Sequence, residues 1–186
     1  MIRIWFAVFA AALVISGCSG IKVNQDYDPT TDFASMKTYR WAAETQEKTG
    51  ELRVDNPLRD TRIRAAVDRL LNEKGFRKFV DGSPTFLVRY QYVLRQKIGS
   101  DGGGIGFGIG SFGSHGGIAI GTGNSVRAYD EGALTIDFVD AASQSLLWRG
   151  TGTQPFREYD DPKKTNKDIN LLVEKILAQF PPAKPE

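Results

Sequence analysis

The sequence predicts an α+β fold, a mainly antiparallel sheet with two amphipathic helices packed on one face. Three observations carry this. Two segments repeat apolar residues at helical spacing, several shorter ones alternate apolar with polar residues, and the helices are too few to cross over between all the strands. With 186 residues, 41% apolar and 25% charged, the chain suits one folded domain with a single core.

The elements follow in chain order. Residues 36–41 set Tyr39 and Trp41 on one face and Thr38 and Arg40 on the other, as a short strand does. Ile63, Ala66, Val67, Leu70 and Leu71 then recur at i, i+3, i+4, i+7 and i+8; Asn56-Pro57 opens this first helix and Gly75 stops it. Residues 76–80 precede the turn signal Asp81-Gly82-Ser83-Pro84 and are expected to form a hairpin with residues 86–94. In that second strand Phe86, Val88, Tyr90, Tyr92 and Leu94 alternate with Leu87, Arg89, Gln91 and Val93. Residues 133–140 and 146–151 flank a polar turn as another hairpin. Ile169, Leu172, Val173, Ile176, Leu177 and Phe180 mark the closing helix, expected to open near Thr165 or Asn166 and to end at Pro181-Pro182.

Between the strands lies a glycine-rich insert, residues 99–123, with 12 of the 20 glycines. Glycine loses the most conformational entropy on ordering, so the composition suits a loop joining two strands. It is not a phosphate-binding loop, since no helix and no Lys-Ser/Thr pair follows. Its apolar residues, Phe107 and Phe112 with Ile105 and Ile109, leave a second reading open, in which the insert contacts a partner or lipid headgroups. His115, the one histidine, sits inside this stretch without the packed surroundings that catalysis or metal binding requires.

Residues 1–17 have the layout of a secretory signal: Arg3, an apolar run from Ile4 to Ile15, then Ser16 and Gly17. At about 1.5 Å per residue the run spans roughly 18 Å, short of the roughly 30 Å hydrocarbon core. Ile15-Ser16-Gly17-Cys18 resembles the bacterial lipobox, which implies cleavage between Gly17 and Cys18 and acylation, as with palmitate, of Cys18. Each buried methylene contributes roughly 0.8 kcal/mol and one chain holds only marginally, so two or three chains on Cys18 would make a lasting membrane anchor. Ser19 follows, which by analogy with known lipoproteins favours the outer membrane, facing the periplasm. Residues 18–25 are expected to be a short tether, residues 26–182 the domain, and residues 183–186 a tail.

One cysteine excludes an internal disulfide and a Cys-rich zinc site, and one histidine excludes a multi-His metal site. No cofactor is expected. The net charge of +2 lacks the excess of a nucleic-acid binder.

The blocks Asp26-Tyr27-Asp28, Asp32-Phe33, Lys37-Thr38-Tyr39-Arg40-Trp41, Lys74-Gly75-Phe76, Pro84 leading into Phe86-Leu87-Val88, Gly132-Ala133-Leu134-Thr135-Ile136-Asp137, Leu147-Trp148-Arg149-Gly150 and Phe180-Pro181-Pro182 resemble a bacterial lipoprotein family, the domain of unknown function numbered 4136. The resemblance implies an envelope-exposed α+β domain without established catalytic residues. Thr85 departs from it, standing where Asp is expected before the strand. Asp26, Asp28 and Asp32 suit turn capping, and Tyr39, Trp41 and Trp148 suit a small core.

The expected function is therefore that of a non-enzymatic envelope lipoprotein. Its partners are the membrane, through Cys18, and an envelope protein or cell-wall polymer. Trp148 and Arg149 are candidate binding residues that could stack on a sugar ring or peptide. The alternative is a hydrolase of an envelope polymer, pairing Asp137 or Asp140 with Asp160 or Asp161 for acid and base work.

Overall fold

The computed structural model describes residues 20–79, 82–100 and 126–183. One six-stranded sheet runs in the order β1-β6-β5-β4-β2-β3, built from β1 (Lys22–Tyr27), β2 (Thr38–Trp41), β3 (Arg77–Lys78), β4 (Phe86–Ser100), β5 (Val126–Asp140) and β6 (Leu146–Pro155). The pairings β1–β6, β6–β5 and β5–β4 are antiparallel, whereas β4–β2 and β2–β3 are parallel. Helix α1 (Pro57–Glu73) joins β2 to the parallel strands that follow, and α2 (Pro162–Leu177) closes the chain.

Helix α1 begins where Asn56 accepts a hydrogen bond from the Leu58 N–H and Pro57 occupies the first turn. It ends where Gly75, at φ +88°, lets its own N–H reach Asn72 O and the Phe76 N–H reach Leu71 O. Helix α2 opens earlier than residues 165–166, because Asp161 accepts from the Lys163 N–H and Pro162 pre-sets the first turn.

The expected hairpin between residues 76–80 and 86–94 does not form. After Gly75 the chain buries Phe76 and passes on the outer side of β2, so β3 pairs in parallel with β2 and β2 separates it from β4. Thr85 joins β2 to β4: its hydroxyl donates to Thr38 O and accepts from the N–H groups of Lys37 and Thr38. At the other edge, the stretch expected as a tether enters the sheet at Lys22 as β1. Gly99 and Ser100 of the expected insert extend β4, and residues 101–123 lie outside the described residues.

Strand alternation puts Tyr39, Phe86, Val88, Tyr90, Tyr92, Leu134, Ile136, Phe138 and Trp148 on one face, all buried. Both helices cover this face, α1 with Ile63, Ala66, Val67, Leu70 and Leu71, α2 with Ile169, Leu172, Val173, Ile176 and Leu177. Glycine is required where α2 comes closest: a Cβ on Gly150 would stand 2.3 Å from the Trp148 ring and 2.6 Å from Ile176. Among the described residues, no helix is long and apolar enough to cross a membrane.

Candidate functional site

Gly17, Cys18, Phe107, Phe112 and His115 lie outside the described residues. Trp148 is a core residue rather than a ligand platform. It is 0% exposed, its ring lies 4.9 Å from Phe138 and 5.2 Å from Phe180, and its Nε1 donates to Gln25 Oε1 at 2.9 Å. With both ring faces packed, it has no surface on which a sugar could stack. Arg149, the next residue in the strand, points to the opposite face and makes a two-pronged ion pair with Asp137, at 2.7 Å on each arm. The two residues therefore do not share a site.

The carboxylates of the hydrolase reading are dispersed as well. Asp137 lies on the helix-free face, Asp140 accepts from the N–H groups of Ala142 and Ser143 in the β5–β6 turn, and Asp161 caps α2 beyond the far end of β6. Asp28 and Asp32 likewise cap the turns after β1, Asp28 accepting from Thr30 and Asp32 from the Ala34 N–H.

Two arginines of α1 organise the polar groups that do converge. Arg64 sits 4.4 Å above the Trp41 ring and 5.7 Å from the Tyr90 centroid, with Nε donating to Asp60 at 2.8 Å and a terminal N–H to Ala43 O. Asp60 also accepts from the Tyr90 hydroxyl. One turn further on, Asp68 accepts from the Tyr39 hydroxyl and Trp41 Nε1, both at 2.9 Å, and from Lys78 Nζ at 2.8 Å. The residues i, i+4 and i+8 thus form a stripe, Asp60-Arg64-Asp68, that ties α1 to β2 and β4. Burial, reinforced by the neighbouring carboxylates, pushes the Tyr39 and Tyr90 hydroxyls well above the ordinary phenol range.

The second arginine, Arg59, stands in the first turn of α1, 5.2 Å from the Tyr92 centroid and 5.2 Å from that of Phe156. Arg53 approaches the Phe156 ring too, at 5.6 Å, but is held by Glu51 and by Asp130 at 2.6 Å. Arg59 has no such counter-ion among the described residues, and its buried Nε donates to nothing. Burial raises the Tyr92 hydroxyl, and the Arg59 charge beside it works against that shift. Gly132 leaves the space the Tyr92 ring uses, since a Cβ there would stand 2.1 Å from Tyr92 Oη. Gln154, Arg157, Tyr159 and Asp168 complete the surroundings, with the Tyr159 hydroxyl donating to Asp168.

This corner lies at a particular end of the molecule. Lys22 at the start of β1 is opposite Thr153, and Pro155 at the end of β6 is opposite Glu131, so the N-terminal entry of the sheet and Phe156 share one end. A cleft of about 310 Å³ there is lined by Gly20, Ile21, Gln154, Pro155, Arg157, Asp168 and Leu171. From the same end, β4 and β5 run on as a two-stranded ribbon from Gln96 opposite Asp130 to Ser100 opposite Val126. The corner escapes sequence reading because it draws on four separate segments. Its only linear trace is Phe156 beyond a strand end, between Pro155 and Arg157.

The family model described as "Domain of unknown function (DUF4136)" matches residues 23–182, and the chain belongs to that family. No curated protein matches it at a significant level. Among solved structures, a PDZ domain protein from Parabacteroides distasonis is similar in fold, with 13% identity and a TM-score of 0.53. The match covers 89% of this chain but only 36% of that one. Two crystal forms of a PelC dodecamer from Paraburkholderia phytofirmans match at 13% identity with TM-scores of 0.48 and 0.47, covering 85% of this chain and 95% of theirs.

Proposed function

We propose that this member of the DUF4136 family is a non-enzymatic lipoprotein of the cell envelope, anchored in the outer membrane through acylated Cys18 and facing the periplasm, where it has a binding or structural role. The observation that carries this reading is the order Ile15-Ser16-Gly17-Cys18 after an apolar run of signal-peptide length. Residues 1–17 are then the signal peptide, cut between Gly17 and Cys18. The start of β1 at Lys22 gives the anchor very little slack, so the end bearing the Arg59 corner and the ribbon faces the headgroups. An envelope protein or cell-wall polymer would approach from the periplasmic side.

Growth of expressing cells on labelled palmitate, with the mass of the N-terminal peptide, tests the anchor. Label on a peptide beginning at Cys18, lost in Cys18→Ser, is the expected result; an unmodified Cys18 or equal labelling of Cys18→Ser refutes it. In-cell crosslinking should recover a defined envelope partner, and a profile matching that of an unrelated lipoprotein would refute the binding role.

A further inference from the structure

We infer that the groove between Tyr27, Phe33 and the prolines after α2 is a docking site for a lysine or arginine side chain of a partner polypeptide. The groove holds about 460 Å³ and is lined by Tyr27, Pro29, Phe33, Pro181 and Pro182, with Asp32 its one charged side chain among the described residues. That is the size and the mainly apolar make-up of a ligand site. Its walls are in place without a ligand. Phe33 meets buried Phe180 edge to face at 5.9 Å, and the turn after β1 is closed by hydrogen bonds from the Asp28 N–H to Leu147 O and from the Thr31 N–H to Asp28 O.

Shape and charge select the occupant. The Tyr27 and Phe33 rings meet at 76°, which makes a corner rather than the flat platform on which a sugar ring stacks. Such a corner, walled by prolines, suits the methylene stem of a lysine or arginine, whose cation is attracted to the ring faces. Asp32 supplies the counter-charge. Its Oδ1 accepts from the Ala34 N–H, and among the described residues it has no ion-pair partner. Among those residues no cation lines the groove, so an anionic ligand finds no match there. The volume exceeds one such side chain and leaves room for the backbone on either side of it. Tyr27 ends β1 about 17 Å from Lys22, where the chain enters the sheet, so the groove opens at the end away from the proposed anchor. The inference deepens the binding role proposed above by naming its site and its partner's class; only the direction of approach rests on the anchor.

The test titrates the full chain, in an uncharged detergent, with an acetylated and amidated octapeptide of alternating alanine and lysine, with its glutamine and glutamate counterparts, and with chitotetraose. The backbone resonances of Phe33 and Ala34 are followed by NMR. Saturating shifts with the lysine peptide alone are expected, with at least fivefold weaker binding by Asp32→Asn, which keeps an oxygen for the Ala34 N–H, and by Ala34→Phe, which fills the groove. Asp160→Asn, at an exposed position just before α2, should bind as the parent does. No shift with any probe, equal binding of the glutamine or glutamate peptide, unchanged binding by either groove variant, or an equal loss in Asp160→Asn overturns the site. Shifts with chitotetraose in place of the lysine peptide overturn the polypeptide partner and assign the groove to a glycan. The anchor is scored separately: unmodified Cys18 with lysine-peptide binding sinks the anchor alone, and lipidated Cys18 without it sinks the site alone.

Discussion

Arg59 and Arg64 stand five residues apart on α1, and each lays its guanidinium against two aromatic rings. Arg64 has a carboxylate at 2.8 Å and a backbone carbonyl at 3.1 Å, while the buried Nε of Arg59 has no acceptor among the described residues. Aromatic stacking is therefore common to both and distinguishes neither. What differs is donor satisfaction: around Arg64 the hydrogen bonds close within the fold, whereas the Arg59 Nε finds no acceptor among the described residues. The closed network lies under β2 and β4, whereas the open one lies at the end where the chain enters the sheet.

The comparison breaks most sharply at Asp68. Asp68→Ala strands the Tyr39 hydroxyl and Trp41 Nε1 together, and each orphaned donor costs about 1–3 kcal/mol. We expect a loss of about 3 kcal/mol and, at about 2–4 °C per kcal/mol for a domain of this size, a fall in Tm of about 6–12 °C by calorimetry. A fall under about 1 °C would show that the stripe does not hold α1 to the sheet.

A milder and more direct contrast replaces each arginine in turn. Arg64→Gln removes the charge-assisted bond to Asp60 and the contact with Trp41, and should cost about 1–2 kcal/mol in chemical denaturation. Arg59→Gln forfeits stacking of similar size but also relieves an unsatisfied buried donor, so stability should stay within about 0.5 kcal/mol. Equal losses in the two variants would erase the distinction.

The smallest effect is absent at neutral pH. Tyr39 and Tyr90 ionise less readily folded than unfolded, so the unfolded state alone releases their protons as pH rises past about 10. The stability they contribute is complete below that pH and declines above it. Denaturation midpoints between pH 8 and 11 should therefore fall less steeply in Tyr39→Phe and Tyr90→Phe than in the parent; parallel curves would remove the hydroxyls from the account.

Much of the fold is legible in the sequence, and the reason is local. Helical spacing in α1 and α2 names the buried residues that the structure shows, and alternation in β4 separates the covered face from the open one. Gly75 marks a helix end because its positive φ is a backbone property. The pairing of β3 is different in kind, since the turn signal at residues 81–84 allows a hairpin, whereas in the sheet β2 lies between β3 and β4. Trp148 and Arg149 show the same limit at the level of a site. Adjacent in sequence, they are put on opposite faces by the period of a strand, and the depth of Trp148 depends on Gly150, Phe138 and Phe180.

The sequence by itself determined the α+β class, the family, the faces of both helices and the alternation of the long strands, because each is written in periodicity or in contiguous motifs. Tertiary structure alone decided that β1 is an edge strand, that β3 lies outside β2, and that Arg59 meets Tyr92 and Phe156 without a counter-ion among the described residues. Those outcomes depend on which segments lie side by side, and whether a buried donor finds an acceptor is settled only once four distant pieces of chain occupy the same few ångströms.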